Sequence, residues 1–401
     1  MTDRSPEAMS IPTGQGRTVL LALAGLALIA GAASAFAAGT STGHATRFAF
    51  AYLTAYSFVA SLAVGALFWI MIHHLTDAGW SVVVRRPLEN MARTLPWMIV
   101  LFLPLAWATP RLYAWADAAG HSSDPLWVAK RGWLNEPFFW GRAAFYLVAW
   151  SVLAEVLARR SARQDAGRDP AISAGLRAFS APGMIVLALT TTFAAFDWLM
   201  TLDYKWYSTI YGVYFWAGSI VGSLSTLILA VLYLRRRGGP LAGAVTVEHL
   251  HDLGKLLLGF VVFWAYIAFS QYFLIWYANL PEETGYFIVR KTGTWGWASL
   301  ALAVGHFAIP FLLLLPRNAK RNPARLGFAA AWVLGFHYLD LYWQVMPTLT
   351  PRGVSLHWLD LAVPVALVAA FAALAWRAGL GRPMVPIGDP RLEESLAFRN
   401  V

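Results

Sequence analysis

Residues 19–38 read VLLALAGLALIAGAASAFAA, twenty positions without one charged side chain. As a helix rising about 1.5 Å per residue, such a run is about 30 Å long, the thickness of a bilayer's hydrocarbon core. Comparable runs recur along the 401-residue chain, at 48–72, 95–108, 138–158, 183–200, 209–234, 256–276, 297–315, 326–343 and 359–376. The composition agrees: 58% of residues are hydrophobic and 13% charged, against roughly a quarter charged in a soluble domain. Lipid offers a backbone no hydrogen-bond partners, so every run is predicted to be a helix. The chain therefore reads as an all-α polytopic membrane protein with about ten transmembrane helices. Pro96 and Pro104 interrupt the third run, which is kept because the charge distribution requires a crossing there.

Ten crossings leave 22 of the 31 Lys and Arg on one side and 8 on the other, with Arg142 inside the fourth span. The positive-inside rule then makes both termini cytoplasmic. The net charge of +10 does not indicate nucleic acid, because the basic residues sit in short runs just outside apolar segments, where they face a membrane surface. Cysteine is absent, which excludes disulfides, thiolate metal sites, protein-ligated iron-sulfur clusters and covalently bound c-type haem. The first run also resembles a signal peptide, with Ala35-Phe36-Ala37 suited to cleavage, but its length favours a retained span. Trp115, Trp127 and Trp133 in the longest outer loop suit an interfacial cap, a docking surface or an ordinary aromatic belt. Gly218-x-x-x-Gly222 suits close helix packing.

Ionisable side chains inside spans are costly and face a bundle interior or a water-filled path. They are Arg142 and Glu155 in the fourth span, Asp197 in the fifth, His306 in the eighth, and His337 and Asp340 in the ninth. With alternating helix direction Asp197 falls about 21 Å along its span, in the outer third of the membrane. His337 lies near the middle, and Asp340 shares its helix face one turn further out. Arg142 reaches a similar outer depth. An acid, a base and a cation at one depth suit a quinol headgroup and its protons. Asp197, His337 and Asp340 are therefore expected to face one polar cavity, with Arg142 balancing their charge. The competing reading is helix glue, Arg142 against Asp197 and His337 against Asp340. Glu155, nearer the cytoplasm, continues a proton path or reaches the interface above Arg159 and Arg160.

His249-x-His251-Asp252-x-x-Lys255 opens the seventh span. Histidines at i,i+2 diverge on a helix, so a proton antenna or a charged helix start fits better than a metal site. His306 and His337, both near mid-membrane on neighbouring antiparallel spans, have the depth relation of a bis-His haem b.

Longer strings are familiar. Phe196-Asp197-Trp198-Leu199-Met200-Thr201-Leu202-Asp203, with Trp206-Tyr207-Ser208-Thr209-Ile210-Tyr211-Gly212-Val213-Tyr214, resembles the second, smaller NrfD-like membrane subunit of alternative complex III. So do His251-Asp252-Leu253-Gly254-Lys255, Phe263-Trp264-Ala265-Tyr266 through Gln271-Tyr272, Ile275-Trp276-Tyr277-Ala278-Asn279-Leu280-Pro281-Glu282-Glu283-Thr284, His306-Phe307, and Asp340-Leu341-Tyr342-Trp343. The resemblance covers residues 196–347. It implies a subunit of a bacterial quinol:cytochrome c oxidoreductase of the respiratory chain, in the inner membrane. Its fold would be two four-helix bundles, about 48–200 and 209–343, plus two flanking helices within an NrfD-like domain at 19–376. Cytoplasmic tails at 1–18 and 377–401 would flank that domain.

The implied partners are a larger NrfD-like membrane subunit, a periplasmic iron-sulfur subunit, and multihaem and monohaem cytochrome c subunits, with the iron-sulfur clusters and haem c on those partners. Quinone or quinol, menaquinone or ubiquinone, would be the small molecule bound. Asp197, His337, Asp340 and Arg142 are then candidates for quinol chemistry, and Glu155, His251, Asp252, Lys255 and His306 for proton translocation. A structural membrane anchor without its own quinone site is the alternative, followed by a haem b cytochrome and a secondary transporter with a midplane site.

Overall fold

The computed structural model describes residue 7 and residues 9–400; Arg4 and the first part of the 1–18 tail lie outside the described residues. The chain is an all-α polytopic membrane protein. Numbered by span, its long helices are α1 Thr13–Thr40, α2 Thr42–Leu75, α3 Leu95–Leu112, α4 Glu136–Gly167 and α5 Pro170–Trp198. They continue as α6 Tyr211–Leu234, α7 Val247–Ala278, α8 Gly293–Leu314, α9 Pro323–Leu349 and α10 Leu359–Gly379. Among the described residues, nine helical stretches are long and apolar enough to cross a bilayer. The ninth predicted span, α9, falls outside that set despite its 27 residues. His337, Tyr338, Asp340 and Gln344 dilute its apolar character, and much of it packs against protein.

Local sequence sets the helix ends. Asn135, Asp169 and Asn322 each accept a backbone N–H in the first turn of α4, α5 and α9, and each of those turns carries a proline. Side-chain oxygen and proline both suit a helix start, where the first amides lack partners. Thr246 and His249 cap α7 reciprocally. Arg168 and Asn279 end α4 and α7 in left-handed backbone.

Helices α2 to α5 form one four-helix bundle and α6 to α9 a second, while α1 and α10 pair on the flank of α2. The bundles meet along α2 and α6, and α2 is buried from Ala49 to Met71. Gly65 permits that approach, since a Cβ there would stand 2.1 Å from the Ser219 carbonyl oxygen. In contrast, α1 exposes Leu21, Leu28, Ile29 and Phe36, a surface suited to lipid. Helix α8 is interrupted by a π-helical turn, Leu302–Ala308, which carries His306.

The C-terminal segment is folded against one end of both bundles. Met384 N–H donates to the Met9 carbonyl at 2.8 Å, Arg85 pairs with Asp389 at 2.5 Å, and Ser395 Oγ donates to the Trp80 carbonyl at 2.7 Å. Further on, the Ser395 carbonyl lies 3.0 Å from His249 Nε2, and Asn400 Nδ2 donates to Asp252 Oδ1 at 2.7 Å. The segment thereby ties the Gly79–Ser81 turn beside the first bundle to the start of α7 in the second.

Candidate functional site

Arg142 on α4 and Asp197 on α5 form a two-point ion pair, Nε to Oδ2 and Nη2 to Oδ1, both 2.8 Å. The Tyr146 hydroxyl donates to Oδ2 and the Trp133 indole to Oδ1, each at 2.9 Å. The Trp133 and Phe138 rings cover the guanidinium at 4.1 and 4.3 Å. Both oxygens of this buried carboxylate thus have charged and neutral donors, as a buried ion pair requires. Trp133 comes from the long connection between α3 and α4, which caps the bundle. There Trp127 Nε1 donates to the Trp115 carbonyl at 3.0 Å. The Tyr204 hydroxyl donates to Asp124 at 2.7 Å, holding that carboxyl down to about 2.

Asp340 on α9 is equally buried, yet among the described residues no Lys, Arg or His pairs with it. Its donors are neutral: the Tyr214 hydroxyl of α6 to Oδ1 and Trp264 Nε1 of α7 to Oδ2 at 3.2 Å. Gln344, one turn further along α9, accepts at Oε1 from the Tyr211 hydroxyl at 2.9 Å.

The cavity expected to hold Asp197, His337, Asp340 and Arg142 together is therefore not formed. Arg142 closes on Asp197 in the first bundle, and Asp340 belongs to the second. His337 lies at the seam between bundles, its Nε2 2.8 Å from Ser61 Oγ of α2. Because Ser61 Oγ donates to the Phe58 carbonyl at 2.7 Å, Nε2 carries the hydrogen and Nδ1 is left without a partner. Gly218 and Gly222 make room for this imidazole: a Cβ at Gly222 would stand 2.5 Å from His337 Cδ2, and one at Gly218 2.9 Å from Cε1.

The two histidines read near mid-membrane each keep a ring nitrogen without a partner, both of them in His306 and Nδ1 in His337. His306 lies against Trp264, ring centroids 3.9 Å apart, and His337 Nε2 is engaged by Ser61. Glu155 pairs with Arg159 at 3.0 Å and Arg93 at 3.6 Å at one end of α4. At the same end, Asp252 pairs with Lys255. His251 is buried on the first turns of α7 with Nδ1 unpartnered.

Beside Asp340 lies a cavity of about 500 Å³ between α7, α8, α9 and the connecting helix Pro281–Lys291. It opens on the flank of the second bundle past Phe269, which is 61% exposed. Tyr214 and Trp264 form part of its wall, so the two side chains that donate to Asp340 also face the cavity. Gln271 is buried in the same wall, its Nε2 without a partner.

Arg290, one of the eight cations assigned to the less basic side, is buried in that wall. It donates to the Trp343, Tyr286 and Gln344 carbonyls at 3.2, 3.0 and 2.7 Å, and its guanidinium lies 3.4 Å over the Tyr286 ring. A second cavity of about 210 Å³ shares Tyr286 and Arg290 with the first and reaches Gln344 and Asp203.

Sequence reasoning missed Tyr214, Trp264, Gln271, Tyr286, Arg290 and Gln344. Only Arg290 carried a charge that could have marked it, and its neighbours Lys291, Glu282 and Glu283 gave it the look of a solvated connection. A scan of protein-family models finds no match to this chain, and a search of curated proteins likewise finds none.

Proposed function

We propose that this chain is a quinone-binding subunit of a membrane-bound respiratory quinol:cytochrome c oxidoreductase, and that the second bundle holds the headgroup. The observation that carries this reading is the flank cavity backed by Asp340. At about 500 Å³ it falls in the range of small-molecule sites. An amphiphile dissolved in lipid can enter it past Phe269. Inside, unpartnered Gln271 Nε2 suits a quinone oxygen, and aromatic rings suit the flat headgroup.

Oxidation of a quinol releases two electrons and two protons. The Tyr214 hydroxyl, already bonded to Asp340, would pass a proton inward, and Gln344, one turn further along α9, lines the cavity that reaches Asp203. The electrons would leave to iron-sulfur clusters and c-type haems on partner subunits, since this chain lacks cysteine. The resemblance to alternative complex III supplies those partners, the larger NrfD-like subunit among them. In that setting the arginine-rich end and both tails face the cytoplasm. The first bundle, with its closed Arg142–Asp197 pair, fits the anchor reading.

The test uses the full chain in phosphatidylcholine nanodiscs, titrated with a decyl-substituted quinone while tryptophan fluorescence is followed. Saturable quenching, weakened about tenfold by Gln271→Leu, is expected. Non-saturable quenching, or a Gln271→Leu variant that binds like wild type, overturns the site and leaves the anchor.

A further inference from the structure

We propose that the arginine-rich end of the first bundle holds one anionic phospholipid by its phosphodiester group. A cavity of about 280 Å³ lies where the start of α3, the Glu155 level of α4, the end of α10 and the C-terminal segment meet. Arg93, Arg377 and Arg382 line it with a single carboxylate, Glu155. That carboxylate is already divided between Arg93 and Arg159. Arg377 and Arg382 have no carboxylate partner among the described residues; Arg377 lies 5.6 Å over the Trp97 ring.

The surplus is local. Nearby Arg86 is matched by Glu89 and Asp165, and Arg85 by Asp389. Burial first, then the like charges of Arg93 and Arg86, push the Arg382 guanidinium below its ordinary range. An anion in the cavity would relieve that repulsion, and guanidinium groups suit phosphate oxygens.

The source of the phosphate is indicated by what adjoins the cavity. Trp97, in its wall, begins an exposed apolar stripe on α3 that continues through Val100 and Leu103, 44, 55 and 63% exposed. At i, i+3, i+6 these lie along one helix face. Exposed Val148 and Val152 of α4 extend the apolar surface on which acyl chains can lie. A headgroup-sized basic cavity continuous with such a surface fits a lipid and not a soluble anion.

The full chain, exchanged into phosphatidylcholine nanodiscs doped with phosphatidylglycerol and released for native mass spectrometry, should retain one phosphatidylglycerol. The Arg377→Gln/Arg382→Gln double variant should lose about thirtyfold in affinity for it. Ala378→Glu, which leaves all three arginines and puts a carboxylate into the cavity wall, should lose a similar factor. Arg236→Gln/Arg237→Gln, removing the same charge elsewhere on that end, should leave retention unchanged. Both cavity variants should match wild type in thermal unfolding in pure phosphatidylcholine. Equal loss in the Arg236/Arg237 control, full retention in either cavity variant, or displacement of the lipid by millimolar inorganic phosphate overturns the proposal.

Discussion

Asp197 and Asp340 occupy matching places: each is buried on the last helix of its four-helix bundle. The first bundle answers its carboxylate with a guanidinium, a phenol and an indole. The second answers with a phenol and an indole but, among the described residues, no cation. Its buried guanidinium, Arg290, is spent on three backbone carbonyls and two aromatic rings. Both side chains that donate to Asp340 line a cavity of about 500 Å³, whereas of the three groups bonded to Asp197 it is Trp133 that lines one, of about 350 Å³. One residue type in one setting thus gives a closed structural clamp in one bundle and an addressable acid in the other. The difference is made by residues on other elements.

The largest effect should come from opening the clamp. Arg142→Ala strands a fully buried carboxylate, and breaking a buried pair from one side costs about 3–5 kcal/mol. Replacing both partners, Arg142→Leu with Asp197→Leu, should cost far less. Unfolding of the full chain in mixed micelles measures both, and a single-variant cost below 1 kcal/mol would erase the contrast between the bundles. Next in size is Gly222→Ala, whose Cβ would stand 2.5 Å from His337 Cδ2. Overpacking of this kind costs about 1–3 kcal/mol. Adding His337→Ala should recover part of that loss; no recovery would mean that the strain lies elsewhere along the α2–α6 seam.

These contrasts also show what the amino-acid sequence discloses. The spans were legible because lipid demands long apolar runs, and Arg142 stood out because a cation inside such a run is costly. Spacing alone placed His337 and Asp340 on one face, and both side chains do meet the position of Gly218. Helix depth could not say which aspartate Arg142 meets, since that depends on how each helix is rotated and which bundle it joins. Gln271 and Tyr214 were invisible for another reason: an uncharged polar residue in an apolar run breaks no rule. The burial of Arg290 was not legible because the helix Pro281–Lys291 turns back into the bundle, a tertiary event that composition does not signal.

Asp340→Asn separates stability from function. The Tyr214 bond to Oδ1 survives in asparagine, while the Trp264 bond faces an amide N–H₂ and is lost, at about 1 kcal/mol. The complex should therefore assemble with nearly wild-type thermal stability. Quinol oxidation, or its linked proton release, should fall at least tenfold, within the range for losing a proton-transfer group. Unchanged turnover in an assembled complex would return Asp340 to the same structural class as Asp197.

The smallest stability effect, and the sharpest distinction between the bundles, belongs to Gln271→Leu. Gln271 is buried and its Nε2 has no partner, so the native side chain already carries the cost of an unmade hydrogen bond, about 1–3 kcal/mol. Leucine fills nearly the same volume without that cost, and unfolding should be unchanged or slightly harder. In a clamp the reverse would hold, as both oxygens of Asp197 and the groups bonded to them are engaged and removal of any of these must destabilise. A polar group kept where an apolar one would be more stable implies a partner that comes and goes. Quinone affinity should accordingly drop about tenfold as stability holds or rises. If Gln271→Leu instead destabilises the chain by more than 1 kcal/mol, its amide is structural and the second bundle is as closed as the first.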